Sequence, residues 1–341
     1  MINIGLIGFG YWGPNLAKNF SQINGVFLHS ICEMKKEKAE RIKEQYPLTR
    51  LVTNFKEINK NKEIDAVAIA TPPATHFKLA KDALLSGKHV LVEKPLTTTS
   101  RQAEELIKIA QQEKLTLMVG HTFEYNDAVL KLKEHIKSGE IGDILYIYSQ
   151  RLNLGILRQD INAWWNLAPH DISILLFLLE KFPLRVSAKG LTFFNNSIED
   201  VVFAHLDFDG SISVHIHVSW LDPNKIRKMV VVGTKKMIIY DDVSNDAKLQ
   251  IFDKGIVKLD RPSGNSYPDS FGEYQLVIRS GNLLVPQISF TEPLRKECMH
   301  FIRCIRDKKK PLTDGESGLR VVRILEAVDR SLKNGGKSIK L

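Results

Sequence analysis

The stretch GLIGFGYWGPN, residues 5–15, sets Gly8, Gly10 and Gly13 in a G-x-G-x-x-G spacing directly behind an apolar run, Ile2–Ile7. The chemistry of that pattern is phosphate binding. Gly8 permits a tight turn, Gly10 lets the backbone approach a pyrophosphate, and Gly13 lets a following helix pack closely with its amide-bearing end facing the phosphates. Tyr11 and Trp12 lie inside the same turn. Glu33 ends the next apolar run, about 20 residues beyond Gly13, where a carboxylate binds an adenosine ribose and repels a 2′-phosphate. The pattern reads as an NAD site, with NADP the weaker alternative that Lys35 and Lys36 keep open.

A second set of residues suits proton transfer. In GKHVLVEKPL, residues 87–96, a short β-branched run delivers Glu93 and Lys94 side by side and stops on Pro95. A strand's carboxyl end is where ligands bind in open α/β sheets. Alcohol oxidation needs a base for the hydroxyl proton while hydride leaves the same carbon, and a partly desolvated lysine beside a cationic nicotinamide is expected to titrate closer to neutrality. ATPPATHFKLA, residues 70–80, adds Thr71 and Pro72 in a rigid loop and His76, which reads as a cap or packing residue beside the cofactor, with catalysis as its rival role. WWNLAPHDISILLFLL, residues 164–179, puts His170 and Asp171 ahead of an apolar helix expected at 170–180, so both are expected at its N-terminus, where a plain cap is one of the roles open to Asp171.

These residues need elements to hold them. Residues 1 to about 120 alternate strand-like runs (Ile2–Ile7, Phe27–Cys32, Ala66–Ala70, His89–Glu93, Thr116–Val119) with helix-like ones (Gly13–Phe20, Lys36–Gln45, Phe77–Ser86, Thr99–Lys114). Such alternation predicts an α/β domain, a parallel sheet covered by helices on both faces. Beyond residue 140 strands follow in series at 144–153, 185–194, 200–208, 211–220, 226–241 and 247–252, with FDGS (208–211) as a hairpin turn and helices at 292–307 and 315–333. This predicts an α+β second domain with a large, mainly antiparallel open sheet. The division falls at 1–122 and 123–341, and residues 260–290 are the most loop-like part.

GFGYWG, ATPPATH, GKHVLVEKPL and VGHTFEYN, in this order and spacing, closely resemble the Gfo/Idh/MocA oxidoreductases, over essentially the whole chain and most strongly to about residue 175. The resemblance implies a Rossmann domain followed by a substrate domain whose open sheet forms a homodimer or homotetramer. It implies a catalytic role for Lys94, with the Lys–Pro bond often cis, and for His170 as base or helper. His170 matches the histidine of the family's D-x-G-x-H segment, in which the usual aspartate is here Asn166 and the usual glycine Ala168; the resemblance implies that this aspartate position binds substrate or orients the histidine, a role that falls to Asn166 without charge and in part to Asp171. Tyr125 and Asn126 match a segment that contacts cofactor or substrate. Arg151 and Arg158 are candidate diphosphate forks, or plain surface charges. LAPHDIS, RLNLG and PLTDGESGLRVV look most like members acting on nucleotide sugars in surface-polysaccharide pathways. The implied activity is an NAD-dependent dehydrogenase or reductase of a UDP-N-acetylglucosamine-type compound at C3. Alternatives are a free polyol or aldose dehydrogenase, or an NAD-dependent glycosidase or lyase with an internal redox cycle; a non-catalytic NAD sensor fits poorly beside Lys94 and His170.

Composition agrees with such a protein. The 341 residues suit about two domains, and 43% hydrophobic with 26% charged residues is a globular balance. No apolar run reaches the roughly 18 residues a membrane span needs. The start carries no signal-peptide pattern, and three scattered cysteines fit a reducing cytoplasm, so a cytoplasmic enzyme without a metal site is expected. The net charge of +9 suits an anionic substrate; the lysines are scattered along helices with no nucleic-acid-reading motif.

Overall fold

Val90 and Val92 point to one face of a strand and Leu91 to the other, and none is more than 2% accessible. That is the signature of a parallel strand covered on both sides. The structure, a computed structural model, describes residues 1–155, 157–194, 198–256, 278–289 and 291–341. Among these, two compact units emerge: residues 1–126 with 291–326, and residues 127–289 with 327–341.

In the first unit, strands β1 (Ile2–Ile7), β2 (Val26–Cys32), β3 (Arg50–Val52), β4 (Ala66–Ile69), β5 (His89–Glu93) and β6 (Leu117–Gly120) form one sheet in the order 3-2-1-4-5-6. Every pairing is parallel. This is the doubly wound dinucleotide-binding order, whose switch point lies between β1 and β4. Helices α1 (Gly13–Ser21), α2 (Ala39–Gln45), α3 (Phe55–Lys60), α4 (Pro73–Leu85) and α5 (Ser100–Gln112) connect the strands. Thr99 caps α5, its side chain accepting from the Gln102 amide at 3.3 Å. One core cluster holds Val90, Val92, Leu79 and Leu106, and another holds Leu91, Leu6, Leu16 and Phe20. Each such side chain contributes roughly 1.5–3 kcal/mol by leaving water.

The second unit begins with α6 (Asp127–Lys137) and strand β7 (Ile144–Leu152), followed by α7 (Ala163–Leu179). Strands β8 (Arg185–Leu191), β9 (Val201–Asp207), β10 (Ser213–Ser219), β11 (Ile226–Gly233), β12 (Met237–Asp241), β13 (Leu249–Ile256) and β14 (Ile278–Leu284) follow. With β15 (Ile339–Lys340) they build a nine-stranded sheet in the order 14-13-12-11-7-10-9-8-15. Its pairings are antiparallel except β7 with β10, so the sheet is mixed but mainly antiparallel, as expected. The 208–211 turn closes a hairpin through left-handed Gly210 and Ser211.

The chain's division differs from a single cut near residue 122. Helix α8 (Pro293–Asp307) returns to the first unit because its apolar face, Leu294, Cys298, Phe301 and Ile302, completes that unit's core. The loop after it extends the edge of β6, with the Val119 amide donating to the Thr313 carbonyl at 2.8 Å. Helix α9 (Gly315–Lys333) starts in the first unit and ends in the second. Three other expectations need correction. The run 226–241 is two strands, broken at 234–236. Part of the loop-like 260–290 stretch is strand β14, while 257–277 and 290 lie outside the described residues. Helix α7 begins at Ala163, not 170, because the Asn162 side chain caps it by accepting from the Trp165 amide at 3.0 Å.

Candidate active site

The glycine turn is built as its spacing requires. Gly8 has φ of +95°, and a Cβ there would lie 2.5 Å from the Ala70 carbonyl oxygen. A Cβ on Gly13 would meet the Gly8 carbonyl oxygen at 2.3 Å, so helix α1 can start only on glycine. Around Gly10 nothing lies within 4 Å of a Cβ position, which leaves room for a ligand to reach the backbone. The first turn of α1 has no side-chain cap; Pro14 carries no amide hydrogen and the Asn15 and Leu16 amides donate to the Trp12 carbonyl at 3.0 and 3.3 Å, so the Gly13 amide is the candidate donor to a phosphate oxygen. Tyr11 is exposed and lies against Trp12 with the ring planes 24° apart.

Glu33 stands at the end of β2 beside this turn. Its carboxylate accepts from the Phe9 amide at 3.1 Å and the Lys35 amide at 2.9 Å, and Lys38, not Lys35, approaches it with its ammonium at 3.4 Å. Burial works against its ionisation, but the Lys35 amide and the Lys38 charge bring its pKa below the usual range. An anionic carboxylate held here fits a ribose diol. The donor set, the glycine cradle and the uncapped helix together fit NAD.

Thr71 and Pro72 form the loop after β4, Thr71 half-buried and Pro72 exposed. His76 is wholly buried in α4, with Nδ1 2.8 Å from the Pro95 carbonyl oxygen and Nε2 2.8 Å from that of Thr71. It ties the loop after β4 to the turn after β5, where the Lys94–Pro95 peptide is cis. Burial lowers its pKa, and the Lys94 charge adds to that lowering while the two carbonyls oppose it. The packing role is the one the geometry gives His76.

Glu93 and Lys94 follow at the carboxyl end of β5, both half-buried. Burial pushes the Glu93 carboxyl up to about 7, against the pull of Lys94. Part of Glu93 stays accessible, so water tempers that shift without reversing it. The Trp12 indole N–H lies on the Glu93 side, short of hydrogen-bond geometry. Behind them, His121 is wholly buried with neither ring nitrogen hydrogen-bonded, and burial followed by the Lys94 charge lowers its pKa to about 3.

Tyr125 and Asn126 close the first unit's main segment. The Tyr125 hydroxyl lies 3.3 Å from the Thr313 hydroxyl and its ring sits 5.6 Å from that of His300, in the core rather than at a ligand-facing surface. Asn126 is half-buried at the end of the 122–125 turn.

In the second unit, His170 is half-buried in the middle of α7, one residue after Pro169, and not at the helix N-terminus. Asp171 is therefore no cap. It is buried and accepts from Arg151 Nε at 2.6 Å and from the Ser149 hydroxyl at 2.7 Å. Arg151 is only 5% accessible and turns its fork to Asp171, so it is an interior partner rather than a diphosphate ligand. Arg158 pairs with Asp160 at 2.6 Å. Asn166 accepts from the Trp220 indole N–H at 3.1 Å, a bond an aspartate could make equally well. Trp164 and Trp165 are core residues.

Sequence reasoning missed Glu297, His121 and Thr122. Glu297 lies on α8, far along the chain, and nothing local marks it. Among the described residues no group of three or more His, Cys, Asp or Glu could hold a metal ion, and no helix is long and apolar enough to cross a membrane.

Residues 2–121 match the oxidoreductase family with an NAD-binding Rossmann fold, and residues 129–239 match the GFO/IDH/MocA C-terminal domain. The chain is 28% identical to UDP-N-acetylglucosamine 3-dehydrogenase of Acidithiobacillus ferrooxidans over 74% of this chain and 77% of that one. It is 33% identical to the uncharacterized oxidoreductase YdgJ of Escherichia coli over 52% of this chain, a match that spans 54% of that protein's length. The structure of scyllo-inositol dehydrogenase from Lactobacillus casei, which holds NAD(H) and scyllo-inositol, has the same fold, with a TM-score of 0.79 at 18% identity over 100% of this chain and 99% of that one. The glycine cradle, the 3-2-1-4-5-6 sheet and these two domain matches have one reading: the chain belongs to the Gfo/Idh/MocA family of NAD-binding oxidoreductases.

Proposed function

We propose that this oxidoreductase oxidises or reduces a sugar carbon of a nucleotide sugar, of the UDP-N-acetylglucosamine type at C3, in the cytoplasmic supply of surface-polysaccharide precursors. The observation that carries the reading is Lys94, a lysine at the carboxyl end of the strand next to the dinucleotide switch point. Bound NAD supplies the hydride acceptor at nicotinamide C4. Lys94 takes the hydroxyl proton in the oxidative direction and returns it in the reductive one, and the family resemblance assigns His170 to assist. The similarity to a UDP-N-acetylglucosamine 3-dehydrogenase over most of the chain supports the substrate class. The net charge of +9 favours an anionic diphosphate.

A free polyol is the second reading, favoured by the fold shared with scyllo-inositol dehydrogenase. The accessible sheet face with Lys189, Phe203, His205 and His215, which borders a cavity of about 590 Å³, is where a second copy would dock. NADH absorbance with UDP-sugars, dTDP-sugars and free polyols, paired with product mass spectrometry, tests the reading. Net NADH with a UDP-sugar product two mass units lighter supports it. NADH from inositol alone selects the second reading, and product without net NADH overturns both in favour of an internal redox cycle.

A further inference from the structure

Strand β10 ends at Ser219, and the residue after it, Trp220, is a junction of the second unit. Its amide donates to the Asp200 carbonyl at 3.0 Å, and its carbonyl accepts from the Gly155 amide at 3.0 Å. One residue earlier the Ser219 carbonyl accepts from the Asn153 amide at 3.2 Å. The buried Asp200 carboxylate in turn accepts from the Phe193 and Phe194 amides at 2.7 and 3.1 Å. The main chain at Trp220 is therefore fixed between the loop after β7 and the start of β9.

The Trp220 side chain adds a separate contact. It is 2% accessible, and its indole N–H donates to Asn166 Oδ1 at 3.1 Å. An indole nitrogen only donates, so the amide of Asn166 turns its oxygen to Trp220 and its nitrogen away. Asn166 is half-buried and lies one turn before His170 on the same face of α7, because residues four apart share a helix face. Further along α7, Asp171 meets Arg151, which is paired in register with Val218 of β10. The helix is thus tied to the sheet at two points, and the Trp220 tie ends on the side chain at the expected substrate position. Burial alone does not demand that tie. Among the described residues the indole N–H of Trp164, in the same helix, is buried with no hydrogen-bond partner.

We propose that Trp220 is a positioning residue for the substrate: its indole N–H holds the Asn166 amide in one of its two flips, so that the substrate meets a fixed pattern of donor and acceptor there. Half a turn of a carboxamide exchanges oxygen and nitrogen with little change of shape, so packing is a poor selector between the two. An ionised aspartate has two equivalent oxygens and needs no such selection. The indole bond therefore matters most in a chain that carries asparagine at this position. This rests on the reading of Asn166 as a substrate contact, and it concerns substrate affinity rather than proton transfer.

The experiment is steady-state turnover of the full chain with UDP-N-acetylglucosamine, or with scyllo-inositol if the wild type turns over that instead. It compares Trp220→Phe, Asn166→Ala and the double variant, with NADH binding and thermal unfolding measured on each. Trp220→Phe retains an aromatic ring and the main-chain bonds at 220 and deletes the donor. KM is expected to rise about tenfold with kcat changed less than about twofold, as for one lost hydrogen bond made equally in ground and transition states. NADH affinity is expected to stay at the wild-type value. Asn166→Ala is expected to raise KM at least as far, and the double variant to match it, because the indole then has no amide left to orient. An unchanged KM in Trp220→Phe overturns the proposal. So does a double variant in which the two effects multiply, since Trp220 would then act independently of Asn166. An unchanged KM in Asn166→Ala removes Asn166 from the substrate site, and the role of Trp220 falls with that reading while the Lys94 chemistry is untouched. If Trp220→Phe does not fold, benzothienylalanine at position 220, which keeps the bicyclic volume and lacks the N–H, replaces it with the same outcomes.

Discussion

Arg151 Nε and Asp171 Oδ2 meet at 2.6 Å in the interior of the second unit, with both side chains no more than 5% accessible. Asp171 immediately follows His170, so this pair ties helix α7 to strand β7 at the residue next to the candidate catalytic histidine. Breaking such a pair strands a buried charge. Asp171→Asn is expected to cost about 3–5 kcal/mol, whereas replacing both partners by apolar residues of similar volume is expected to cost far less. Urea unfolding of the single and double variants checks this.

Glu33 is the expected selector of the cofactor. Its carboxylate is fixed by two backbone amides and stays ionised, so it meets a ribose diol with an acceptor and a 2′-phosphate with repulsion. Glu33→Ser removes the repulsion and exposes Lys38, and the ratio of NADH to NADPH affinity is expected to fall about tenfold or more. Fluorescence titration with both dinucleotides measures it without a substrate.

His121 is expected to make the protein acid-sensitive. As a base whose folded pKa is depressed, it stays neutral in the native state while the unfolded chain takes up a proton below the ordinary histidine value. Stability is therefore lost as pH falls from about 6.5 towards 3. His121→Leu removes this loss along with two unsatisfied ring nitrogens, and at pH 5 it is expected to exceed the wild type by about 2 kcal/mol more than at pH 8. Glu297 works in the opposite sense: its raised pKa erodes stability as pH rises above the ordinary carboxylate range, so Glu297→Gln gains most under alkaline conditions. Thermal unfolding at the two ends of this pH range separates the two effects.

His76 clamps two loops through the Thr71 and Pro95 carbonyls. A neutral imidazole donates only one proton, so one contact is a hydrogen bond and the other is held by packing. His76→Leu is expected to cost about 1–3 kcal/mol from the orphaned carbonyl. Because the clamp borders Lys94, kcat is expected to fall while NADH affinity changes little; a loss confined to NADH binding would contradict the positioning role.

Much of this was legible in the sequence where the determinants are local. The glycine spacing, Glu33 and the strand that ends in Glu93 and Lys94 are each set by a few adjacent residues and the alternation around them. The start of α7 was not, because Pro169 suggests a boundary while the true cap, Asn162, lies seven residues earlier in a stretch with no marked apolar period. In sequence Arg151 reads as a diphosphate fork or a surface charge and Asp171 as a substrate contact or a helix cap, until strand and helix bring them together. Glu297 was invisible for the same reason: only the return of α8 to the first core puts an acid behind the Gly120–Thr122 run. Tyr125 matched a ligand-contacting segment, yet its hydroxyl found Thr313 inside the same unit.

The most direct test of the account is turnover by Lys94→Ala, measured as NADH absorbance with whichever sugar or polyol the wild type turns over and accompanied by NADH binding. The account predicts intact binding with kcat reduced about 100-fold or more, the scale of a lost general base. Intact binding with wild-type turnover would contradict it and remove Lys94 from the chemistry.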